Sequence, residues 1–328
     1  MQKVKIGSAG VEISRIGLGC VTFGREIDEA QSYRVLDYAF SRGINLLDTA
    51  EGYGGGQAEA YRRTKGLTAG GSAGSEMHSS EKIIGRWLRS TGLRGQIALQ
   101  TKISRNFRPA HVREALEASL DRLQTDYVDM YLFHSYDSGT PLEQAIEAMA
   151  EVVQSGKVRV GGCSNFNAAQ LREADQIARE RKLPRLETIQ PVYNLVRREI
   201  EDELLPFCSA RNIAPVIYSP LGAGFLAGKY APGGAFPKGS RFDIIPDHAD
   251  EYFSERNFRT VERLKSLSDR TGWSMVRLAM TWVAHRPGVA GILIGARHAE
   301  HIDNAVDALD MPIPAEVADG LRSLESAA

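Results

Sequence analysis

Four side chains suited to moving a proton lie where three apolar segments end. Asp48 follows Leu46-Leu47, and Tyr53 stands five residues on, in the run Gly52-Tyr53-Gly54-Gly55-Gly56. Lys102 follows the segment 97–100 with Thr101 between, and His134 closes the segment 127–133. Short apolar runs bounded by turn residues read as buried strands. A carboxylate, a phenol, an ammonium and an imidazole at the C-terminal ends of strands match the place where a parallel α/β enzyme keeps its active site.

The rest of the chain supplies the scaffold such a site needs. Segments 2–6 and 11–14, split by Gly7-Ser8-Ala9-Gly10, read as a hairpin. Strand candidates follow at 16–19, 44–47, 97–100, 127–133, 158–163, 188–190, 214–218 and 291–294, alternating with amphipathic helical stretches such as 113–123, 142–154, 168–181 and 275–285. Pro109, Pro141 and Pro206 lie near helix starts, and Gly43 and Gly156 near helix ends. Eight strands alternating with helices predict an α/β fold, a parallel (β/α)8 TIM barrel, with the hairpin plugging its bottom and long loops at its C-terminal face. A doubly wound open sheet is the rival, but no Gly-x-Gly-x-x-Gly follows the first strand. Two connections break the rhythm: residues 58–80, rich in glycine, and residues 221–252, rich in glycine and proline. Loops of this length in a compact domain are usually functional or disordered.

With 328 residues and 43% hydrophobic content, the chain can bury a full core, and residues 1–328 read as one barrel domain. A formal net charge of −1 offers no field for nucleic acid or an anionic membrane. The start, Met1-Gln2-Lys3-Val4-Lys5, lacks the apolar core of a signal peptide, and apolar runs such as 289–296 are too short to span a bilayer. Cys20, Cys163 and Cys208 lie in or beside apolar segments without metal-like spacing, as buried reduced thiols do. The expectation is a cytoplasmic protein without a metal, acting on a small molecule; a homo-oligomer is compatible with the sequence.

The motifs, in order, resemble the aldo-keto reductase superfamily over nearly the whole chain, with a spelling similar to the bacterial branches that resemble potassium-channel β subunits. The resemblance rests on Gly17-Leu18-Gly19, Asp48-Thr49-Ala50-Glu51-Gly52-Tyr53-Gly54, Thr101-Lys102, Tyr131-Leu132-Phe133-His134, Gly162-Cys163-Ser164-Asn165-Phe166, Gln190-Pro191-Val192-Tyr193-Asn194 and Tyr218-Ser219-Pro220-Leu221-Gly222. It implies carbonyl reduction with a nicotinamide cofactor, usually NADPH, bound without a Rossmann domain. It places the catalytic four on Asp48, Tyr53, Lys102 and His134. That assignment is physically sensible. A free phenol has a pKa of about 10 and is a poor acid at neutral pH. An ammonium near 4 Å is worth up to ~4 kcal/mol at an effective dielectric of 20, about 3 pKa units. Lys102 would supply that charge, Asp48 would hold it, and His134 would orient the carbonyl and hydrogen-bond the developing alkoxide. A Schiff base on Lys102 is the rival chemistry, but it leaves Tyr53 and the cofactor motifs unexplained.

By the same resemblance, Ser164, Asn165 and Gln190 hold the nicotinamide carboxamide, and Tyr218 forms the plate under its ring. Gly19, Cys20 and Val21 edge the cofactor at the first barrel strand. Ser219, Pro220, Leu221, Gly222 and Gly224 form the pyrophosphate turn, and Lys229 and Arg241 add charge from the long loop. Gly295 and Arg297 receive a phosphate after the last strand, where helix N-terminal amides favour anions, and Arg297 favours NADPH through a 2′-phosphate. The adenine end departs from the family, with His301, Asn304 and Ala305 where glutamine, glutamate and asparagine are usual. Tyr53, His134, Ser135 and Tyr136, with Cys20, Val21, Ile103 and Phe225, are the candidates to meet substrate; Val21 replaces a frequent tryptophan. The insertion 58–80 is expected to be a mobile rim of the site outside the barrel core. An auxiliary redox-sensing subunit with bound cofactor and little turnover is the alternative function.

Overall fold

In the computed structural model, which describes residues 1–66 and 74–325, β1 (Lys3–Ile6) and β2 (Val11–Ser14) pair antiparallel. The barrel then builds in chain order from β3 (Ile16–Gly19), α1 (Glu29–Ser41), β4 (Leu46–Asp48), α2 (Gly55–Thr64), α3 (Ser79–Thr91), β5 (Ala98–Ile103) and α4 (Pro109–Leu123). It continues through β6 (Val128–Phe133), α5 (Leu142–Gln154), β7 (Val158–Ser164), α6 (Ala168–Glu180), β8 (Thr188–Gln190), α7 (Leu204–Arg211) and β9 (Ala214–Ile217). It ends with α8 (Arg241–Ile244), α9 (Glu255–Thr271), α10 (Met275–Ala284), β10 (Gly291–Gly295), α11 (Ala299–Asp310) and α12 (Ala315–Glu325). Strands β3 to β10 close into a parallel barrel in which β10 pairs with both β3 and β9.

The local chemistry of the chain accounts for the helix starts. Asp28 caps α1 by accepting from the Gln31 amide, Asn167 and Gln170 form a reciprocal capping box on α6, and Ser254 and Ser274 cap α9 and α10. Ile6, Val11 and Ile13 of the hairpin share one apolar cluster with Leu46, Met130, Leu132, Val160, Val216 and Leu293 of the barrel strands. The hairpin therefore closes the N-terminal end of the barrel, and every candidate functional group is left at the other end.

One reading from sequence needs correction. The insertion is helical over much of its described length: α2 covers residues 55–64, and α3 starts at Ser79, within it. Ala58-Glu59-Ala60 are good helix formers. The helix also has a partner: Tyr61 Oη donates to Asp247 at 2.8 Å, Lys65 pairs with Asp247 at 2.5 Å, and Arg62 donates to the Ile244 carbonyl at 3.0 Å. It is thus tied to the long loop across the barrel mouth; the stretch 67–73 lies outside the described residues. That loop, in turn, is ordered by an aromatic cluster, with Tyr230–Phe242 centroids at 4.8 Å and Phe242–Phe253 at 5.3 Å.

Helices α3 and α4 approach closely at Gly85, where an added Cβ would collide with the Arg122 carbonyl oxygen and the Leu123 backbone. Neither backbone can yield cheaply. Gly85→Ala is expected to lower stability by about 1–3 kcal/mol, read as a reduced urea midpoint, with cofactor affinity of the folded fraction unchanged.

Candidate active site

Barrel register brings the predicted residues to one face. Asp48, Ser164, Gln190, Gly19 and Gly295 are the last residues of their strands, and His134 and Tyr218 immediately follow theirs. Lys102 is fully buried near the end of β5. Its Nζ donates to Asp48 Oδ1 at 2.5 Å and to the Thr49 carbonyl at 2.8 Å. The same carboxylate oxygen accepts from Gln190 Nε2 at 3.1 Å and from Gln100 Nε2. Lys102 Nζ also lies 4.9 Å from the Tyr53 ring centroid, and Tyr53 Oη is 3.5 Å from His134 Nε2.

The electrostatics follow from this packing. Burial pulls the Lys102 pKa down, but Asp48 and Tyr53 together lift it above its usual value, so the ammonium stays charged. Tyr53 differs from expectation. Burial raises its pKa, Lys102 opposes this, and Asp48 adds to the rise, leaving the phenol above its ordinary value. The lysine limits the cost of burial instead of producing a net depression, because much of its field is spent on Asp48. His134 is pushed down to about 3 by burial and by Lys102, and is a neutral imidazole at any working pH.

Tyr53 and His134 open onto a cavity of about 630 Å³ that also takes in Asp48, Gly19, Val21, Ser164, Asn165, Gln190 and Tyr218. Ser164 Oγ donates to the Gln190 carbonyl at 2.7 Å, Asn165 Nδ2 donates to Ser164 Oγ at 3.1 Å, and Tyr218 Oη donates to Asn165 Oδ1 at 2.9 Å. The same cavity is also lined by Ser219, Pro220, Leu221, Gly224, Lys229, Arg241, Gly295, Arg297, His301 and Asn304. Ser219, Gly222, Ala223 and Gly224 all have positive φ, which coils the backbone tightly, and a Cβ on Gly224 would sit 3.1 Å from Lys229 Nζ. Such coiled backbone presents amides to anions. Burial and Arg297 hold Lys229 below its usual pKa, so two cations face one another there. A cavity of this volume, lined by the phenol, a coiled turn and paired cations, suits a nucleotide cofactor.

Not every predicted neighbour faces the cavity. Cys20 is fully buried, its thiol against the Leu18 carbonyl, and Ile103 is likewise in the core. Gly222 lies behind the turn against Tyr252. Phe225 is buried among Tyr252, Phe253 and Phe258. Ser135 is exposed, and Tyr136 is exposed with its ring edge-on to Phe166 at 5.3 Å, outside the lining. Sequence reasoning missed Gln100, Thr22, Arg25, Glu26, His248 and Tyr252. Gln100 had a signal, since a glutamine two residues before a strand-end lysine points to the same face.

The sequence profile of the Aldo/keto reductase family matches residues 15–326. The chain belongs to this family. Among its curated relatives are Protein tas of Escherichia coli (31% identical, covering 97% of this chain and 95% of the relative) and Aldo-keto reductase YhdN of Bacillus subtilis (34%, 90% and 85%). A probable voltage-gated potassium channel subunit beta of Arabidopsis thaliana is 31% identical over 95% of this chain and 92% of the relative. As an aldo/keto reductase, the protein is an oxidoreductase of carbonyl compounds in a family that typically uses a nicotinamide cofactor. Among the described residues, no helix is long and apolar enough to cross a membrane and no cluster of side chains could hold a metal ion.

The His134 environment sets a pH dependence. With a folded pKa of about 3 against 6.5 in the unfolded chain, unfolding takes up a proton as pH falls through 6.5, so this group costs stability below 6.5 and not above it. Relative to His134→Gln, the wild type should lose about 1–2 kcal/mol between pH 7 and pH 5. Urea titrations of both proteins at the two pH values measure this; parallel behaviour would show an imidazole solvated in the native state.

Proposed function

We propose that this aldo/keto reductase is an NADPH-dependent reductase of aldehydes or ketones, able to run in reverse, with Tyr53 as the proton donor. The observation that carries the reading is the surroundings of one phenol. Lys102 Nζ lies 4.9 Å from the Tyr53 ring centroid and a neutral His134 lies 3.5 Å from its oxygen, at the wall of a cavity of about 630 Å³. When bound, the nicotinamide cofactor supplies the hydride.

The chain's own residues do the rest. Tyr53 keeps its proton at neutral pH, since burial raises its pKa. As that proton leaves, the Lys102 ammonium stabilises the forming phenolate, since its charge opposes the rise of the Tyr53 pKa. Uncharged, His134 can hydrogen-bond the carbonyl oxygen without competing to protonate it. Asp48 keeps Lys102 charged and in place. Ser164, Asn165 and Gln190 are proposed to hold the carboxamide, Tyr218 to stack beneath the ring, and Lys229 with Arg297 to meet the 2′-phosphate, the basis for favouring NADPH. A Schiff-base role needs a neutral Lys102, which the raised pKa opposes. The likeness to a channel subunit beta supports a second reading, a redox-sensing subunit with little turnover; repeated NADPH oxidation with a simple aldehyde rules that out. A cytoplasmic setting is also inferred, because Cys20, Cys163 and Cys208 are all buried and unpaired.

Two substitutions test the assignment. Tyr53→Phe should lower kcat on the order of 10³-fold while leaving NADPH affinity nearly intact; a variant keeping a third of wild-type single-turnover rate would remove Tyr53 from the chemistry. Arg297→Ala should weaken NADPH by roughly 10- to 150-fold and spare NADH. Fluorescence-quenching titration gives both constants, and equal losses would assign Arg297 to the fold.

A further inference from the structure

The turn that carries Tyr53 is held by residues outside the barrel. Beyond β4 the chain follows the barrel wall only as far as Glu51, whose amide donates to the Lys102 carbonyl at 3.2 Å. It then reverses: Tyr53 N donates to the Ala50 carbonyl at 3.0 Å, closing a turn with Glu51 and Gly52 at its centre. The Glu51 side chain is fixed separately, accepting from the Ser104 amide at 2.7 Å. The peptide between Glu51 and Gly52 is the loose joint. A turn with glycine in its third place can present its central peptide either way up, as types I and II do, and the second arrangement puts that glycine at positive φ. Gly52 is not at positive φ, so one arrangement is selected.

The Glu51 carbonyl shows what selects it. That oxygen accepts from His78 Nδ1 and, at 3.2 Å, from Gln57 Nε2. A carbonyl only accepts, so Nδ1 carries the proton, and the two donors meet the oxygen's two lone pairs. The donors also hold one another, since His78 N donates to Gln57 Oε1 at 3.0 Å. Gln57 belongs to α2, whose far end is fixed to Asp247 through Tyr61 and Lys65. His78 precedes α3 in the left-handed region, with φ 57°, and its side chain makes no capping bond to that helix. Few non-glycine residues adopt this backbone, and the ring serves the turn instead of the helix. Packing is close as well: a Cβ on Gly54 would lie 2.6 Å from Gln57 Oε1 and 2.8 Å from the Ser79 nitrogen.

We propose that His78 and Gln57 are positioning residues for Tyr53: by holding the Glu51 carbonyl they keep the Glu51–Gly52 peptide in one orientation, and so fix where the phenol stands beside His134. This rests on the reductase reading and extends its machinery to α2 and the residues ahead of α3. Turning that peptide over would leave Asp48 and Lys102 in place but redirect the chain just before Tyr53. A reacting group displaced by about 1 Å can cost on the order of 10²-fold in rate. The barrel strands do not supply the restraint, because the Tyr53 carbonyl too is held from the α3 side, by Ser80 N at 3.3 Å.

The test follows single-turnover hydride transfer to 4-nitrobenzaldehyde from the NADPH-saturated protein, and the amide resonances of Gly52 and Tyr53 in isotope-labelled protein. His78→Gly removes the donor and relieves the left-handed backbone. Its rate should fall on the order of 10-fold with NADPH affinity unchanged, and both resonances should shift. His78→Asn tolerates this backbone and carries a donor nitrogen on Cγ as histidine does, so it should recover most of the rate. Gly52→Ala disfavours the alternative turn, and its Cβ would meet only the end of the Ser104 side chain, at 3.2 Å. Added to His78→Gly, it should restore both the rate and the resonances. A His78→Gly rate equal to wild type overturns the proposal, as does a loss that Gly52→Ala leaves untouched. A lowered urea midpoint with an unchanged rate would likewise reduce the contact to a structural one. A wild type that transfers no hydride defeats the reductase reading instead, and the resonances of the variants then decide by themselves whether His78 holds the turn.

Discussion

The buried Lys102–Asp48 pair is the constraint around which this site is built. Taking an ammonium and a carboxylate out of water costs several kcal/mol for each ion, recovered only when geometry is good and the remaining valences are met. Here they are met by barrel neighbours: Asp48 Oδ1 also accepts from Gln100 and Gln190, and Lys102 also donates to the Thr49 carbonyl. Those groups come from β4, β5 and β8, so the pair is satisfied only if the barrel closes in register. Removing either partner would strand the other charge. A fixed ammonium beside Tyr53 is thereby a product of the fold, available without reorganisation when a proton leaves the phenol.

A division of labour along the cavity follows. Strand ends carry Asp48, Lys102 and His134, and the turn after β4 carries Tyr53. Binding groups come from connections that the fold must order separately, and each is ordered by a visible means. The loop after β9 is held by its aromatic cluster and by α2 through Tyr61, Arg62 and Lys65. After β10, His301 Nδ1 accepts from the Arg297 amide at 3.2 Å, so it supports the turn that carries Arg297. This gives the unusual His301 a local structural use.

What the sequence showed and what it hid have distinct physical origins. Strand ends were legible because each strand is a short apolar run that stops at a polar group, and Thr188–Gln190 and Leu142–Gln154 fall at the expected bounds. The direction of side chains at strand termini was not legible: Cys20 turns inward while Val21 meets the cavity, a matter of pleat phase that periodicity over four residues cannot fix. Long-range contacts were hidden too. Nothing local in α2 reveals Asp247 as its partner, and nothing near Arg25 foretells that Arg241 arrives from over 200 positions away. The net shift of Tyr53 was misjudged because a pairwise Coulomb argument omitted the burial of the phenol and the competing charge of Asp48.

The central claim is that Lys102 acts through the Tyr53 phenol. A double-mutant cycle on the single-turnover rate of hydride transfer, using Lys102→Met, Tyr53→Phe and the double variant in their cofactor-bound folded forms, addresses it directly. If the ammonium serves only to stabilise the phenolate, the double variant should be scarcely slower than Tyr53→Phe alone, a strongly non-additive result. Losses that multiply would contradict the account and place the work of Lys102 elsewhere in the site.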